Sequence, residues 1–165
     1  MSGSTLYDDD ILLWSEQQAA AIRKLGATRR DLPNELDIEN VAEEIESVGR
    51  SELAAVKSYL RLIFLHLMKL AMEDDARAAR HWRSEIAGFH SDMLDRYAPS
   101  MRQRIEVDEI WRSVRERLMF YVDEAQQQRV AGLSVGCPFS LDDFITKRID
   151  ISVLLERLPL PHATR

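Results

Sequence analysis

The sequence predicts an all-α fold, an antiparallel bundle of four or five main helices with a kinked or broken central helix and short C-terminal helices. Apolar residues recur at spacings of three and four through most of the chain, which is the helical period. No Asn-Gly turn joins two alternating stretches, and no internal repeat occurs. The 165 residues, 45% of them apolar, suit a single domain over residues 1–165 with loose tails at 1–6 and 159–165.

The central helix is predicted over residues 37–72, with Asp37 as its N-cap. Its C-terminal half carries an apolar face that must be buried, made of Leu53, Val56, Leu60, Ile63, Leu67 and Leu70. A similar face in the N-terminal half, formed by Ile38, Val41, Ile45 and Val48, is out of register with it by one residue near Gly49. A glycine inside a helix costs about 1 kcal/mol relative to alanine, so it needs a kink, a helix end or a close helix crossing. We expect a break or bend at Gly49.

The other helices follow from capping residues and apolar spacing. Asp8–Asp10 can cap a first helix that ends at Gly26, and Pro33 marks the loop after it. A third helix follows the acidic turn after Met72, and Gly88 inside it indicates a second close crossing. The next helix opens at Pro99 or Ser100 and runs to about residue 129, and the last two short helices begin at Ser140 and Asp150.

Charge and cysteine content narrow the class of protein. The net charge of -6 and a pI near 5.3 weaken the case for binding nucleic acid or an anionic membrane. Cys137 is the single cysteine, which rules out an internal disulfide and favours a reducing compartment. The N-terminal residues lack the pattern of a signal peptide, and no run of about 18 apolar residues could span a bilayer. We therefore expect a cytoplasmic protein that does not cross a membrane.

Six polar residues are candidates for a site: Glu43, Glu44, His66, Lys69, His81 and Arg83. The acids, with Glu46, could bind a divalent metal or a cationic ligand, or simply pair with nearby arginines or face water. Arg83 and the arginines at 77 and 80 could hold a phosphate or a partner's acids, although pairing with acids of the chain is the simpler interpretation.

His66 and His81 are the two candidate metal ligands. If the chain turns near Asp74, they reach similar heights on adjacent antiparallel helices and could face each other. Two histidines and a carboxylate are the usual minimum for a metal site, so a divalent metal is possible although no cofactor is predicted. Alternatively, His66 is a core residue with a satisfied hydrogen bond, and Lys69 extends to solvent.

Several catalytic motifs are absent from the sequence. It has no Glu-X-X-His pair of the di-iron bundles, no Gly-X-Ser-X-Gly elbow and no glycine-rich phosphate loop. No catalytic residue is therefore assigned. Trp14, Trp82 and Trp111 each fall on the apolar face of a different predicted helix, which favours a shared core over a ligand platform.

Several stretches resemble the bacterial family called domain of unknown function twenty-nine. They are Tyr7–Trp14, Leu36-Asp37, Ala42-Glu43-Glu44-Ile45-Glu46-Ser47-Val48-Gly49, Leu65-His66-Leu67-Met68-Lys69, Trp82-Arg83 with Ile86, and Cys137-Pro138-Phe139. The chain departs from the pattern at Leu70 and His81, where an aromatic and a small residue are expected. The resemblance implies an all-helical, bundle-like fold of bacterial origin and no agreed activity.

We expect a small cytoplasmic binding or interaction protein that associates with itself or with another protein through an amphipathic helix face. The alternative is a metal-dependent or acid-base enzyme with a site near His66 and His81. The enzyme hypothesis requires His66, His81 and a neighbouring carboxylate to converge in a concave pocket, and the interaction hypothesis does not.

Overall fold

A computed structural model describes residues 5–158 and contains only helices in that range. The α-helices are α1 (Leu6–Asp9), α2 (Ile11–Thr28), α3 (Ile38–Ala71), α4 (Ala76–Arg96), α5 (Val107–Tyr121), α6 (Glu124–Gly132) and α7 (Ile151–Glu156). Two 3₁₀ helices cover Pro99–Arg104 and Leu141–Asp143. The predicted all-α class is confirmed. None of the described helices has the length and apolar character needed to cross a membrane.

The chain divides into two compact units. The first contains the described residues up to Ala55 together with Arg96–Arg104, and the second contains Val56–Asp95 and the described residues from Ile105 onward. The single domain over residues 1–165 stays a prediction. The predicted loose tails lie mostly outside the described residues, but Thr5 caps α1 and Leu6 begins it.

In the first unit, Gly49 is the point where α3 meets α2. The helix runs without interruption from Ile38 to Ala71, so a break at Gly49 is wrong, and a bend there stays a prediction. A Cβ at position 49 would overlap Ser15 Oγ and lie 2.9 Å from the Cα of Leu12. The glycine is there because the two helices approach closely, and Leu12 and Ser15 are both buried at this crossing.

The second unit is built around an aromatic cluster. The Phe64 ring centroid lies 5.5 Å from that of Trp111, 6.1 Å from that of Phe139 and 5.4 Å from that of Phe144. Other buried apolar residues of this unit include Val56, Leu60, Ile63, Leu67, Ile86, Met93, Val114 and Leu154. Because Phe139 and Phe144 belong to this core, the segment after α6 packs on its own chain.

Backbone carbonyls of the same C-terminal segment accept hydrogen bonds from buried rings. Trp111 Nε1 donates to Ser134 O at 2.9 Å, and His90 Nε2 lies 2.8 Å from Phe144 O. Both rings lie on long helices, so each bond fixes the segment against α4 or α5 at a defined position. A buried polar ring atom without such a partner would destabilise the core.

Three predicted positions are corrected by the structure. Helix α2 does not end at Gly26 but continues to Thr28. At Gly26, the side chain of Ile38 occupies the space that a Cβ would fill. Gly88 marks no close crossing, because a Cβ there would meet nothing within 4 Å. The helix expected to run from about residue 99 to 129 is divided into three elements. A 3₁₀ helix begins at Pro99 and precedes α5. Asp123 then caps the separate helix α6 by accepting a hydrogen bond from Gln126 N–H.

Candidate functional site

His66 and His81 approach the same carboxylate oxygen in the second unit. His66 Nε2 lies 3.0 Å from Glu85 Oε2, and His81 Nε2 lies 3.6 Å from the same oxygen. Helix α3 carries His66 and helix α4 carries the other two, four residues apart on one face. The structure thus brings the two predicted histidines to one point. Sequence reasoning missed Glu85, although its i,i+4 spacing from His81 was a signal that could have identified it.

His66 is held in place by its surroundings. It is buried, its Nδ1 lies 2.8 Å from the carbonyl oxygen of Leu62, and its ring meets the edge of Phe89 with 5.2 Å between centroids. His81, by contrast, has a side chain that is 68% exposed. The cluster therefore has one fixed and one solvent-accessible imidazole.

Lys69 lies one turn after His66 but belongs to a different feature. Its Nζ lies 5.8 Å from the centroid of the Trp82 ring, a cation–π contact. Both side chains line a cavity of about 330 Å³, together with Met72, Glu73, Leu118, Tyr121, Val122 and Gln126. Lys69 is thus beside a concave surface rather than in the histidine cluster.

The three tryptophans do not share a core. Trp111 is fully buried in the aromatic cluster, whereas Trp82 lines the cavity beside Lys69. Trp14 packs edge-on against Tyr7 in the first unit, with 4.8 Å between the ring centroids. The predicted shared core of the three tryptophans is therefore wrong, because only Trp111 is fully buried in the aromatic cluster.

Arg83 points to the C-terminal segment. Its Nη1 lies 3.4 Å from Ser152 Oγ in the first turn of α7, a long hydrogen bond that is exposed to solvent. This contact links α4 to α7 and leaves Arg83 outside the histidine cluster.

Glu43 belongs to a network of ion pairs in the first unit. Arg23 contacts Glu39 at 2.9 Å, Glu46 at 2.8 Å and Glu43 at 3.6 Å, and Arg50 also pairs with Glu43. The hydrogen bond from Arg23 is the main reason why the pKa of Glu46 lies below its usual value. These contacts match the simpler interpretation, in which arginines neutralise the acids.

Glu44 is exposed, and its backbone carbonyl accepts from Ser47 Oγ. It belongs to the first unit, whereas His66 belongs to the second. The six candidates therefore fall into separate places: Glu43 in the arginine network, Glu44 on the surface, the two histidines in their cluster, Lys69 at its cavity and Arg83 at its contact with Ser152. Within residues 5–158, no group of three or more His, Cys, Asp or Glu side chains could hold a metal ion.

The model of the family described as Domain of unknown function DUF29 matches residues 6–149. The chain belongs to this family. The resemblance found in the sequence is therefore confirmed, and the family description names no activity.

One solved structure is similar over nearly the whole chain. It is the crystal structure of an alpha-helical protein of unknown function from Rhodospirillum rubrum, with 36% sequence identity and a TM-score of 0.82. The match covers 95% of this chain and 99% of that one. No curated protein matches the sequence. The comparisons thus establish the family and the helical fold and leave the activity unknown.

Proposed function

We propose that the protein is a self-associating interaction protein of the cytoplasm, and that a second copy binds at the Phe120 patch. This patch consists of Phe120, Tyr121 and the cavity lined by Lys69, Trp82 and their neighbours. The observation that carries the proposal is the exposure of two large aromatic side chains that are consecutive at the end of α5, 85% for Phe120 and 83% for Tyr121. Large aromatic side chains at this exposure are typical of binding surfaces.

The patch offers both a projecting and a receiving surface. Tyr121 lines the cavity of about 330 Å³, and Phe120 directly precedes it at the end of α5. The buried side chains of Met72 and Leu118 give the cavity an apolar wall. A phenyl ring is smaller than this cavity, so Phe120 of one copy can enter the cavity of the other. A twofold arrangement repeats this contact in both directions.

The charges of the patch favour a twofold arrangement. Lys69 and Glu73 both line the cavity, and Lys69 forms no ion pair with a carboxylate in the described part of the chain. A twofold axis places the same patch on itself, so Lys69 of one copy can approach Glu73 of the other. A surface that carries both positive and negative charges can be complementary to the same surface of a second copy, whereas a surface whose charges all have one sign would repel that copy.

The size of the patch predicts a weak dimer. An aromatic side chain buries about 150–250 Å², so four rings would bury roughly 600–1,000 Å². Specific interfaces bury about 1,200–2,000 Å² in total, which means that polar contacts around the rings must supply the rest. We expect a dimer that dissociates on dilution.

The test is sedimentation velocity over a range of protein concentrations for the wild type, Phe120→Asp and Tyr121→Asp. We expect a concentration-dependent dimer for the wild type and a monomer for both variants, with unchanged helical content by circular dichroism. A wild type that stays monomeric at high concentration would refute a second copy as the occupant. A dimer that persists in both variants would refute the patch.

Val135→Asp is the matched control. Val135 is also exposed, but the bond from Trp111 Nε1 to Ser134 O places it beside the first turns of α5. Trp111 precedes Phe120 by nine residues, which is about 14 Å along the helix. The control variant should dimerise like the wild type. If it becomes monomeric as well, the loss reflects added charge and not the patch.

A further inference from the structure

We infer that a cavity between α4 and the start of α7 binds a small zwitterion, an α-amino acid with an aliphatic side chain. The cavity has a volume of about 310 Å³, and its lining residues belong to α4 or to residues 147–151, all in the second unit. The supporting observation is that charges of opposite sign line this one cavity without pairing with each other. Binding here does not depend on self-association through the Phe120 patch.

Hydrogen bonds hold the two walls of the cavity together. His90 on α4 is buried and lines the cavity, and its Nε2 lies 2.8 Å from Phe144 O. Arg83, also on α4, donates to Ser152 Oγ in α7. One of these contacts precedes residues 147–151 in the chain and the other follows them, so the segment between is kept against α4.

The two walls carry opposite charges. Asp95 lies on the α4 wall, and Lys147 and Arg148 lie on the other wall. Neither cation forms an ion pair with Asp95 or with another carboxylate of residues 5–158. Asp150, the acid nearest to them in the sequence, accepts backbone N–H bonds of α7 instead. The charges of both walls are therefore left for a ligand.

A ligand with both charges is complementary to both walls. Arginine and lysine donate to a carboxylate, and Asp95 accepts from an ammonium group. Ser91 lies one turn before Asp95 and also lines the cavity, so its hydroxyl can bond to either group. A simple anion would be repelled by Asp95, and a simple cation by Lys147 and Arg148. This pattern favours an α-amino acid over a phosphate or an amine.

Aliphatic side chains form much of the remaining lining. Leu94 on α4 and Ile149 and Ile151 on the opposite wall offer an apolar surface to a carbon chain. Small-molecule sites have volumes of about 300–1,000 Å³, so a cavity of about 310 Å³ suits a ligand the size of one amino acid. Because the charged residues are exposed and water screens them, we expect weak binding.

The test is a titration of the isotope-labelled full chain with leucine, isoleucine and valine, followed by two-dimensional NMR. We expect saturable shifts of the backbone amides in residues 87–95 and 147–151. Two analogues each lack one charge: isocaproate is leucine without its ammonium group, and leucinamide has no carboxylate. Each should bind about three- to tenfold more weakly than leucine, the usual range for a lost bond to a charged group at a partly exposed site.

Four variants locate the site. Asp95→Asn and Arg148→Gln each remove a charge from one wall, and both should weaken leucine binding by about three- to tenfold. Asp92→Asn and Arg117→Gln are the matched controls, since both residues are exposed and neither lines the cavity. The controls should bind leucine like the wild type. All four changes are at exposed positions, so the fold should survive, and circular dichroism checks this.

Three results would overturn the inference. The first is the absence of saturable shifts with all three amino acids. The second is binding of isocaproate or leucinamide as tightly as leucine, which would show that one of the two charges is not recognised. The third is an affinity for leucine in Asp95→Asn and Arg148→Gln equal to that of their controls.

Discussion

Ser100 donates two hydrogen bonds to Asp10, from its backbone N–H to Oδ2 at 2.9 Å and from its Oγ to Oδ1 at 2.6 Å. The same carboxylate caps α2 by accepting from Leu13 N–H at 3.0 Å. Asp10 is buried, so these donors replace the water that it loses on folding. One side chain thus fixes both the start of α2 and the 3₁₀ helix Pro99–Arg104.

Replacing Asp10 by Asn should destabilise the protein by about 1–2 kcal/mol, because one amide oxygen cannot accept from all three donors. Urea unfolding followed by circular dichroism measures this. Asp123→Asn is the matched control, since Asp123 is exposed and its side chain caps only α6. Asn and Asp cap helices about equally well, so the control should lose only a few tenths of a kcal/mol. Equal losses in the two variants would contradict the linking role of Asp10.

The contribution of Asp10 should disappear in acid. Burial acts to raise the pKa of Asp10, but the hydrogen bonds from Ser100 and Leu13 outweigh it and hold the pKa below the ordinary value of 3.8. A carboxyl with a lowered pKa stabilises the fold above its unfolded pKa, and this stability is lost as the pH falls through the folded pKa. The difference in unfolding free energy between wild type and Asp10→Asn should therefore be constant above about pH 5 and shrink below about pH 4. A difference that is independent of pH would contradict this.

Substitution by alanine should have opposite effects on stability at Gly49 and Gly88, which both lie within helices. At Gly49 the new Cβ would lie 2.9 Å from the Cα of Leu12, and backbone cannot yield as a flexible side chain can. Gly49→Ala should therefore destabilise the protein, by about 1–3 kcal/mol as for other overpacked sites. Gly88→Ala, which meets nothing within 4 Å, should stabilise it by up to about 1 kcal/mol. Thermal unfolding of both variants shows whether each substitution raises or lowers the stability of the protein. A Gly49→Ala variant that is more stable than the wild type would refute the close crossing.

Cys137 should react slowly in the folded protein. Burial of the thiol is the main reason why its pKa rises from 9.0 to about 11, and the nearby charge of Asp108 acts in the same direction. The thiolate is the reactive form, so two pKa units reduce its amount about a hundredfold near pH 8. The rate with an aromatic disulfide reagent should therefore be much lower in buffer than in urea. Similar rates in both conditions would show that the thiol is accessible and unperturbed.

Local signals identified most helix starts. The side chain of Asp37 accepts from Asn40 N–H, and the side chain of Asp150 accepts from Ser152 and Val153 N–H, as expected for N-caps. Ser140 and Asp143 form a capping box at the start of the 3₁₀ helix Leu141–Asp143. Each of these contacts joins residues within three positions, so the sequence alone contains the required information.

Contacts between distant residues were less predictable. The role of Gly49 depends on Leu12 and Ser15, which precede it by more than thirty residues, and sequence spacing could not choose between a break and a crossing. The position of Glu85 between two histidines likewise depends on how α4 packs on α3. Helical periodicity places a residue on a face but does not give its angular position relative to another helix.

The sequence by itself determined the helical class, the main apolar faces and the capped starts, because these arise from local periodicity and hydrogen bonding. Only the tertiary structure decided that α3 is continuous, that the acids at its start pair with Arg23 and Arg50, and that His66 and His81 share Glu85. The physical reason is that these outcomes depend on close packing and charge pairing between separate helices, which local sequence patterns do not specify.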